Sequence, residues 1–204
     1  MLGLLDLAKS NYSGMLLLYS IFPLRQRERF LIMFEQPTLI VVGGLPGTGK
    51  STLAKELAKE LRLCLFAKDE LEASVVRSGL ATADQLNQVG YQLLKSIAHS
   101  NLQLGNSIIL DFVASRPRVE RYWPELLNSR FLHLECVCSD LSLHQSRIEG
   151  RQRGIAGWYE LDWKTVQQNS ADYVPLSQNR LVLDAVAPVS ANLQQALEYL
   201  SIRR

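Results

Sequence analysis

The sequence predicts an α/β protein in which helices cover both faces of a parallel sheet. Five short apolar runs alternate along the chain with segments whose apolar residues repeat at helical spacing. A glycine-rich turn joins the first apolar run to the first helical segment. This alternation favours parallel strands, because each helix that connects two strands packs back onto the sheet. The predicted strands are 38–43, 64–67, 107–111, 131–138 and 180–184.

Composition indicates one globular domain with a sizeable core. The chain has 204 residues, of which 47% are hydrophobic and 21% charged, values that are typical of folded rather than disordered proteins. A net charge of +2 gives no general signature of polyanion binding. Cys64, Cys136 and Cys138 are odd in number and lie in strand-like surroundings, so we expect reduced core residues of a cytoplasmic protein. Their spacing does not suit a zinc site.

The first 36 residues differ from the rest of the chain. Their apolar stretch, 15–22, is far shorter than the ~20 residues that a membrane-spanning helix needs. No small-residue cleavage site follows it, which disfavours a secretory signal. We expect either a flexible or surface-helical extension, or a start assigned too far upstream, with Met33 as the alternative start. The functional domain is expected to span 37–204.

The helices in the first half of the domain are predicted from the spacing of apolar residues and from residues that end a helix. Leu53, Leu57 and Leu61 repeat every four residues and predict a helix over 50–62. The second strand runs into a helical stretch that ends at Arg77, before the break at 78–79. A long helix is predicted over 83–104, with Gly105 as its C-cap.

The second half of the domain repeats the alternation. The third predicted strand ends in Asp111, and a helical stretch with arginines near its start follows it. A loop, 154–163, interrupts the alternation before the last strand. The predicted helices of this half are 115–128, 141–153, 163–171 and 190–202.

The glycine-rich turn carries the most specific motif. It fits the pattern G-x-x-x-x-G-K-[ST] at every fixed position, and a strand before and a helix after supply the context that the motif requires. Backbone N–H groups in such a loop form a concavity for phosphates. Lys50 would reach the β- and γ-phosphates, and the Ser51 hydroxyl would bind Mg²⁺. The candidate nucleotide contacts are Gly44, Leu45, Pro46, Gly47, Thr48, Gly49, Lys50, Ser51 and Thr52.

From residue 37 to the C-terminus the chain resembles the P-loop kinases, in particular the zeta-toxin-like group that includes polynucleotide 5′-hydroxyl kinases and chloramphenicol phosphotransferase. The resemblance implies a three-layer P-loop NTPase fold with strand order 2-3-1-4-5, ATP as phosphate donor with Mg²⁺, and an arginine lid. It is carried by residues 43–52, by Lys68-Asp69-Glu70, by Ile108-Ile109-Leu110-Asp111-Phe112, and by the arginine-bearing stretch 147–153.

The two strand-end acids are candidate site residues, because ligands of parallel α/β sheets bind beyond the carboxyl ends of the strands. The resemblance implies that Asp69 accepts the proton of the substrate hydroxyl; its alternative role is the N-cap of the following helix. Asp111 is expected to hold water molecules or ligands around Mg²⁺ without binding the ion directly, or to contact the acceptor. Its alternative is a cap of the next helix.

Three arginines are lid candidates, since guanidinium groups bind transferring phosphates through paired hydrogen bonds. Arg151 is the first choice and Arg147 the second, followed by Arg153. The resemblance also places the adenine near the segment after the last strand, which gives Pro188 as a base contact. Arg116 is expected to be a solvated helix-start residue; its alternative role is contact with a phosphate or polar group of the acceptor.

The sequence therefore predicts an ATP- and Mg²⁺-dependent kinase that phosphorylates a hydroxyl of a small molecule. A polynucleotide 5′-hydroxyl kinase is an alternative, but no arginine follows shortly after Asp69, where Glu72 and Ala73 lie, so nucleic acid is not favoured as a partner. A non-catalytic nucleotide-binding regulator is the other alternative. It is disfavoured because Lys50, Asp69 and the lid arginines are all present.

Overall fold

The computed structural model describes residues 36–82, 86–152, 154–156 and 158–202. The predicted leader therefore lies outside the described residues, apart from Gln36. The same is true of the lid candidate Arg153, and of the first three positions of the helix predicted over 83–104. No helix in the described ranges is both long and apolar enough to cross a bilayer.

A five-stranded, all-parallel sheet forms the centre of the molecule, with the order β2-β3-β1-β4-β5. This confirms the predicted strand order. Val42 of β1 pairs in register with Asp111 of β3, which in turn pairs with Ala67 of β2, so these carboxyl ends are level. Side chains that follow these three strand ends therefore lie at the same edge of the sheet. The strands are β1 Leu39–Gly43, β2 Cys64–Ala67, β3 Ile108–Asp111, β4 Phe131–Val137 and β5 Leu181–Asp184.

Helices cover both faces of the sheet. Because side chains alternate across a strand, Val41 packs into the core on one face and Ile40 into the core on the other. Tyr91 and Leu94 belong to the first core, and Leu57 to the second. The α-helices are α1 Lys50–Leu61, α2 Lys68–Arg77, α3 Leu86–Gln103, α4 Arg116–Tyr122, α5 Leu141–Glu149, α6 Trp163–Ala171 and α7 Val189–Ile202, with a short 3₁₀ helix at Pro124–Asn128.

Two predicted helices are shorter than expected. The helix predicted over 115–128 breaks at Trp123, which is extended with φ −149°, because the residue before a proline is disfavoured in helical conformation. The helix predicted over 141–153 ends at Glu149, followed by Gly150, so Arg151 lies in a loop rather than on a helix face. The prediction of core cysteines holds for Cys136 but is wrong for Cys64, which is exposed, and Cys138 is only half-buried.

Candidate active site

The phosphate-binding loop, residues 44–52, curls closely over the end of the sheet. At Gly44 φ is +133°, and a Cβ there would lie 2.2 Å from the carbonyl oxygen of Cys136. At Gly49, the residue before α1, φ is +79°. Both values belong to the region that favours glycine, so these positions let the loop turn and approach β4. Inside the loop, the Thr48 hydroxyl donates to the Leu45 carbonyl oxygen over 2.8 Å.

Helix α5 fixes the apex of this loop from behind. The Nε2 atom of His144 lies 2.7 Å from the carbonyl oxygen of Pro46, and the residue is only 5% exposed. Since a carbonyl oxygen can only accept, Nε2 carries the hydrogen. The edge of Trp163 packs against the imidazole, with ring centroids 5.1 Å apart. His144 thus positions the phosphate-binding loop, a role that no sequence pattern marked.

A cavity of about 340 Å³ lies over the loop and the start of α1. The segment after β5 forms its far wall. Ala187 and Val189 line the cavity, but Pro188 between them, the predicted base contact, does not. Asp184 shapes this segment by accepting from the backbone N–H groups of Ser139 and Val186. The cavity lining includes Gly47, Thr48, Gly49, Lys50, Ser51, Thr52, Arg147, Arg151, Ala185 and Asn192.

The two lid candidates within the described residues take different places. The Arg147 guanidinium donates to the Ala185 carbonyl oxygen over 2.9 Å and lies 3.9 Å from the Cys138 sulfur, so it stays at the β5 side of the nucleotide cavity. Arg151 lines that cavity and also a neighbouring one of about 80 Å³. Arg151 is therefore located between the two cavities.

The smaller cavity brings the predicted catalytic residues together. Lys50 and Ser51 from the phosphate-binding loop, Asp69 from α2, Asp111 from β3 and Arg151 all line it. Lys50 is itself buried, so its charge acts where water screens it weakly. Residues from four separate parts of the sequence thus face one small volume. Such an arrangement can hold a phosphate, a cation and a hydroxyl in contact.

Asp111 is suited to a cation. It is 5% exposed, and its Oδ1 atom is buried with no hydrogen-bond partner in the described part of the chain. Burial raises the pKa of this carboxyl, while the charge of Lys50 and a hydrogen bond with Ser51 oppose the rise. Asp111 does not cap the next helix, whose N-cap is Ser115. An orphaned carboxylate oxygen beside a hydroxyl fits Mg²⁺, which takes few protein ligands and completes its shell with phosphate oxygens and water.

Asp69 faces the same cavity from the first turn of α2. The N-cap of this helix is Ala67, so Asp69 is not a cap. The turn is anchored by a buried pair in which the Lys68 ammonium group donates to the Glu72 carboxylate. Lys68 also lies 5.1 Å from the ring centroid of Tyr91. These contacts fix the backbone that carries the Asp69 carboxylate, which is itself only partly buried.

The loop after α5 reaches across the smaller cavity to α2. Ile155 lines the cavity, and the guanidinium of Arg77 donates to the Ala156 carbonyl oxygen over 2.7 Å. The loop that carries Arg151 is therefore joined to the end of the helix that carries Asp69.

Solved structures with this architecture include several small-molecule kinases. A sugar kinase from Janibacter sp. HTCC2649 has a TM-score of 0.62 and 20% identity, covering 81% of this chain and 95% of its own. A gluconokinase from Sinorhizobium meliloti 1021 has a TM-score of 0.58 and 14% identity over 81% and 92%. A shikimate kinase from Aquifex aeolicus vf5 has a TM-score of 0.54 and 15% identity over 81% and 98%. These likenesses show a P-loop kinase fold.

No curated protein sequence matches this chain. A family model described as "AAA domain" matches residues 39–176, which include the phosphate-binding loop, both strand-end acids and both described lid arginines. The match covers well over half of the chain. The protein therefore belongs to this AAA domain family of P-loop proteins.

Proposed function

We propose that this protein is an ATP-dependent kinase, a phosphotransferase with an alcohol group as acceptor, that acts on a small molecule. The observation that carries the proposal is the shared cavity of Lys50, Ser51, Asp69, Asp111 and Arg151. Phosphoryl transfer needs an in-line hydroxyl, a bound cation and positive charge around the moving phosphate. Each of these requirements has a candidate side chain at this cavity.

The nucleotide phosphates would lie in the phosphate-binding loop, with Lys50 at the β- and γ-phosphates. Ser51 would hold Mg²⁺, and Asp111 would support it directly or through water. When bound, Mg²⁺ neutralises charge that develops on the phosphate oxygens. The buried position of Lys50 strengthens its attraction to these oxygens, because a low dielectric weakens the screening.

The acceptor hydroxyl would lie between Asp69 and the γ-phosphate. Asp69 would accept the hydroxyl proton. The contacts of Lys68 with Glu72 and Tyr91 would hold the first turn of α2 so that the Asp69 carboxylate faces the cavity. Arg151 would stabilise the transferring phosphate because it lies between the two cavities. We place Arg147 at the base and ribose end, since its guanidinium is tied to the Ala185 carbonyl oxygen.

The small-molecule acceptor is supported by the kinases of similar fold, named as sugar kinase, gluconokinase and shikimate kinase. The narrower relation to zeta-toxin-like kinases remains a prediction from the sequence motifs. A polynucleotide acceptor has no observation in its favour within the described residues.

The test is an ADP-release assay with ATP, Mg²⁺ and a panel of small hydroxyl compounds, together with a 5′-hydroxyl oligonucleotide. We expect at least one small acceptor to stimulate ADP release. Asp69→Asn should bind ATP normally but lose the stimulation, because the amide cannot accept the proton. Lys50→Ala should lose both tight nucleotide binding and turnover. Full turnover by Asp69→Asn would show that another group is the base.

A further inference from the structure

A third cavity, of about 650 Å³, adjoins the catalytic one. Val113, two residues after the strand-end acid of β3, lines both cavities, so this residue lies between them. One wall is the start and exposed face of α4, and the other is the end of α6. The polar lining residues are Ser115, Arg118, Arg121, Asn169, Asp172 and Tyr173.

Two arginines give this third cavity its positive charge. Arg118 and Arg121 are three residues apart on α4 and so share one face of the helix. Among the described residues neither has a carboxylate partner: Arg118 donates to the Asn169 side-chain oxygen over 2.7 Å, and Arg121 lies 5.3 Å from the ring centroid of Tyr122. Two cations face the single acidic lining residue Asp172. The neutral amide of Asn169 does not compensate the charge of Arg118, so the lining carries a net positive charge.

The neighbouring Arg116 shows the ordinary alternative. Its Nε atom donates to Glu120 on the same helix over 2.8 Å, and Arg116 does not line the cavity. The arginine that carries its own counterion is thus not part of the cavity lining. The two that lack one belong to it.

Ser115 adds a neutral donor to the same wall. It is the N-cap residue of α4, yet its side chain makes no capping hydrogen bond, although serine is a favoured cap. The residue is 4% exposed and lines the cavity. A serine hydroxyl that its own helix does not use can donate to a ligand.

Arg118 is also close to the helices that bear the acceptor side of the catalytic cavity. Burial raises the pKa of Tyr91 on α3, and the positive charge of Arg118 opposes that rise. Burial likewise raises the pKa of Glu72 on α2, and among the weaker influences the charge of Arg118 opposes it. The cationic wall is therefore within electrostatic reach of the turn that holds Asp69.

We infer that the acceptor is an anionic small molecule whose carboxylate or phosphate group binds Arg118 and Arg121 while its hydroxyl faces Asp69. The inference rests on the proposed kinase function and specifies its substrate class. Guanidinium groups bind carboxylates and phosphates through paired hydrogen bonds, which orients the ligand as well as attracting it. A neutral polyol would leave the two guanidinium groups without an anionic partner. It would be neither attracted nor oriented by them.

The test compares related acceptors with and without an anionic group. ADP release is measured with glycerol, glycerate and glycerol phosphate, and with glucose, gluconate and glucose 6-phosphate. We expect turnover with an anionic member and little with its neutral counterpart. Arg118→Gln and Arg121→Gln should each raise KM for that acceptor about tenfold, which corresponds to about 1.4 kcal/mol, and leave KM for ATP unchanged. Arg116→Gln is the matched control and should behave as wild type.

Direct binding gives a second readout that does not need turnover. The protein is saturated with a non-hydrolysable ATP analogue and Mg²⁺, which fills the phosphate-binding loop, and is then titrated calorimetrically with each compound. Arg118-dependent binding of a carboxylate or phosphate compound supports the inference. Comparing glycerate with glycerol phosphate, and gluconate with glucose 6-phosphate, shows which of the two anions is bound. Equal use of neutral acceptors, no Arg118-dependent binding, or preference for the oligonucleotide would overturn it. The first of these outcomes leaves the kinase function intact, whereas absence of all Asp69-dependent transfer refutes the function itself.

Discussion

Single side chains near the sheet show how burial changes the chemistry of an ionisable group. Asp111 is a buried acid with neighbours that favour its charge, whereas His133 on β4 is fully buried and both its ring nitrogens lack partners in the described part of the chain. Burial lowers the pKa of His133 to about 4, although Glu135 opposes this effect. His133 is therefore a neutral core residue rather than a site residue.

His133 makes folding sensitive to acid. The unfolded chain binds a proton at His133 below about pH 6.5, but the folded chain does so only below about 4, so stability falls as pH drops through this window. The full effect is about 3 kcal/mol. We expect His133→Leu to flatten the pH dependence of the unfolding free energy between these limits and to be nearly neutral at pH 7. Urea unfolding across this range measures it. An unchanged slope would contradict the assignment.

At the residue scale, the phosphate-loop motif gave Lys50 and Ser51, the strand-end position gave Asp111, and the family resemblance gave the roles of Asp69 and Arg151. The structure places all five around one cavity. Motif positions and strand-end acids are local signals, so they are visible in a sequence. His144 and Arg118 were not singled out as site residues, because their significance depends on contacts with residues far away in the sequence, Pro46 and Asn169. Tertiary contacts of this kind leave no local pattern.

At the scale of elements, strand 64–67 and helix 163–171 were predicted to the residue, because apolar runs and helical periodicity define them locally. The ends of α4 and α5 were predicted too late, at a proline and a glycine whose effect on the helix outweighed continued helical propensity. The early end of α5 places Arg151 in the loop beside the smaller cavity, where the proposed function requires it.

The contact between α5 and the phosphate-binding loop gives a prediction for this element. His144→Ala leaves the buried Pro46 carbonyl oxygen without its partner, which costs about 1–3 kcal/mol of stability and loosens the loop. We expect KM for ATP to rise several-fold and the melting temperature to fall. The exposed His99→Ala is the matched control and should change neither quantity. Wild-type kinetics in His144→Ala would show that the loop does not need this support.

At the scale of the molecule, the sheet order places three strand ends level, and the loop after α5 closes the space above them. This geometry makes Arg151 the one described lid candidate that lines both cavities. The order 2-3-1-4-5 was expected from the family resemblance, because strand spacing alone does not fix which strands become neighbours.

Arg151 should therefore affect the chemical step more than nucleotide binding. We expect Arg151→Ala to lower kcat by about 100-fold or more, since it removes charge stabilisation present mainly in the transition state, with little change in KM for ATP. Arg151→Lys should recover only part of the rate, because an ammonium group lacks the paired donors. Steady-state kinetics with a turnover-supporting acceptor measures this. The exposed Arg130→Ala serves as control, and an equal loss in that variant would contradict a specific role.

The fate of the γ-phosphate tests the central claim most directly. ATP labelled at the γ-phosphate is incubated with the protein, Mg²⁺ and an acceptor that stimulates ADP release, and the label is followed by mass spectrometry. The kinase account predicts label in the phosphorylated acceptor in equal amount to ADP, and loss of this product in Asp69→Asn. Label found only in inorganic phosphate would contradict it, because ATP would then be hydrolysed without transfer to the acceptor, and would favour a nucleotide-binding regulator.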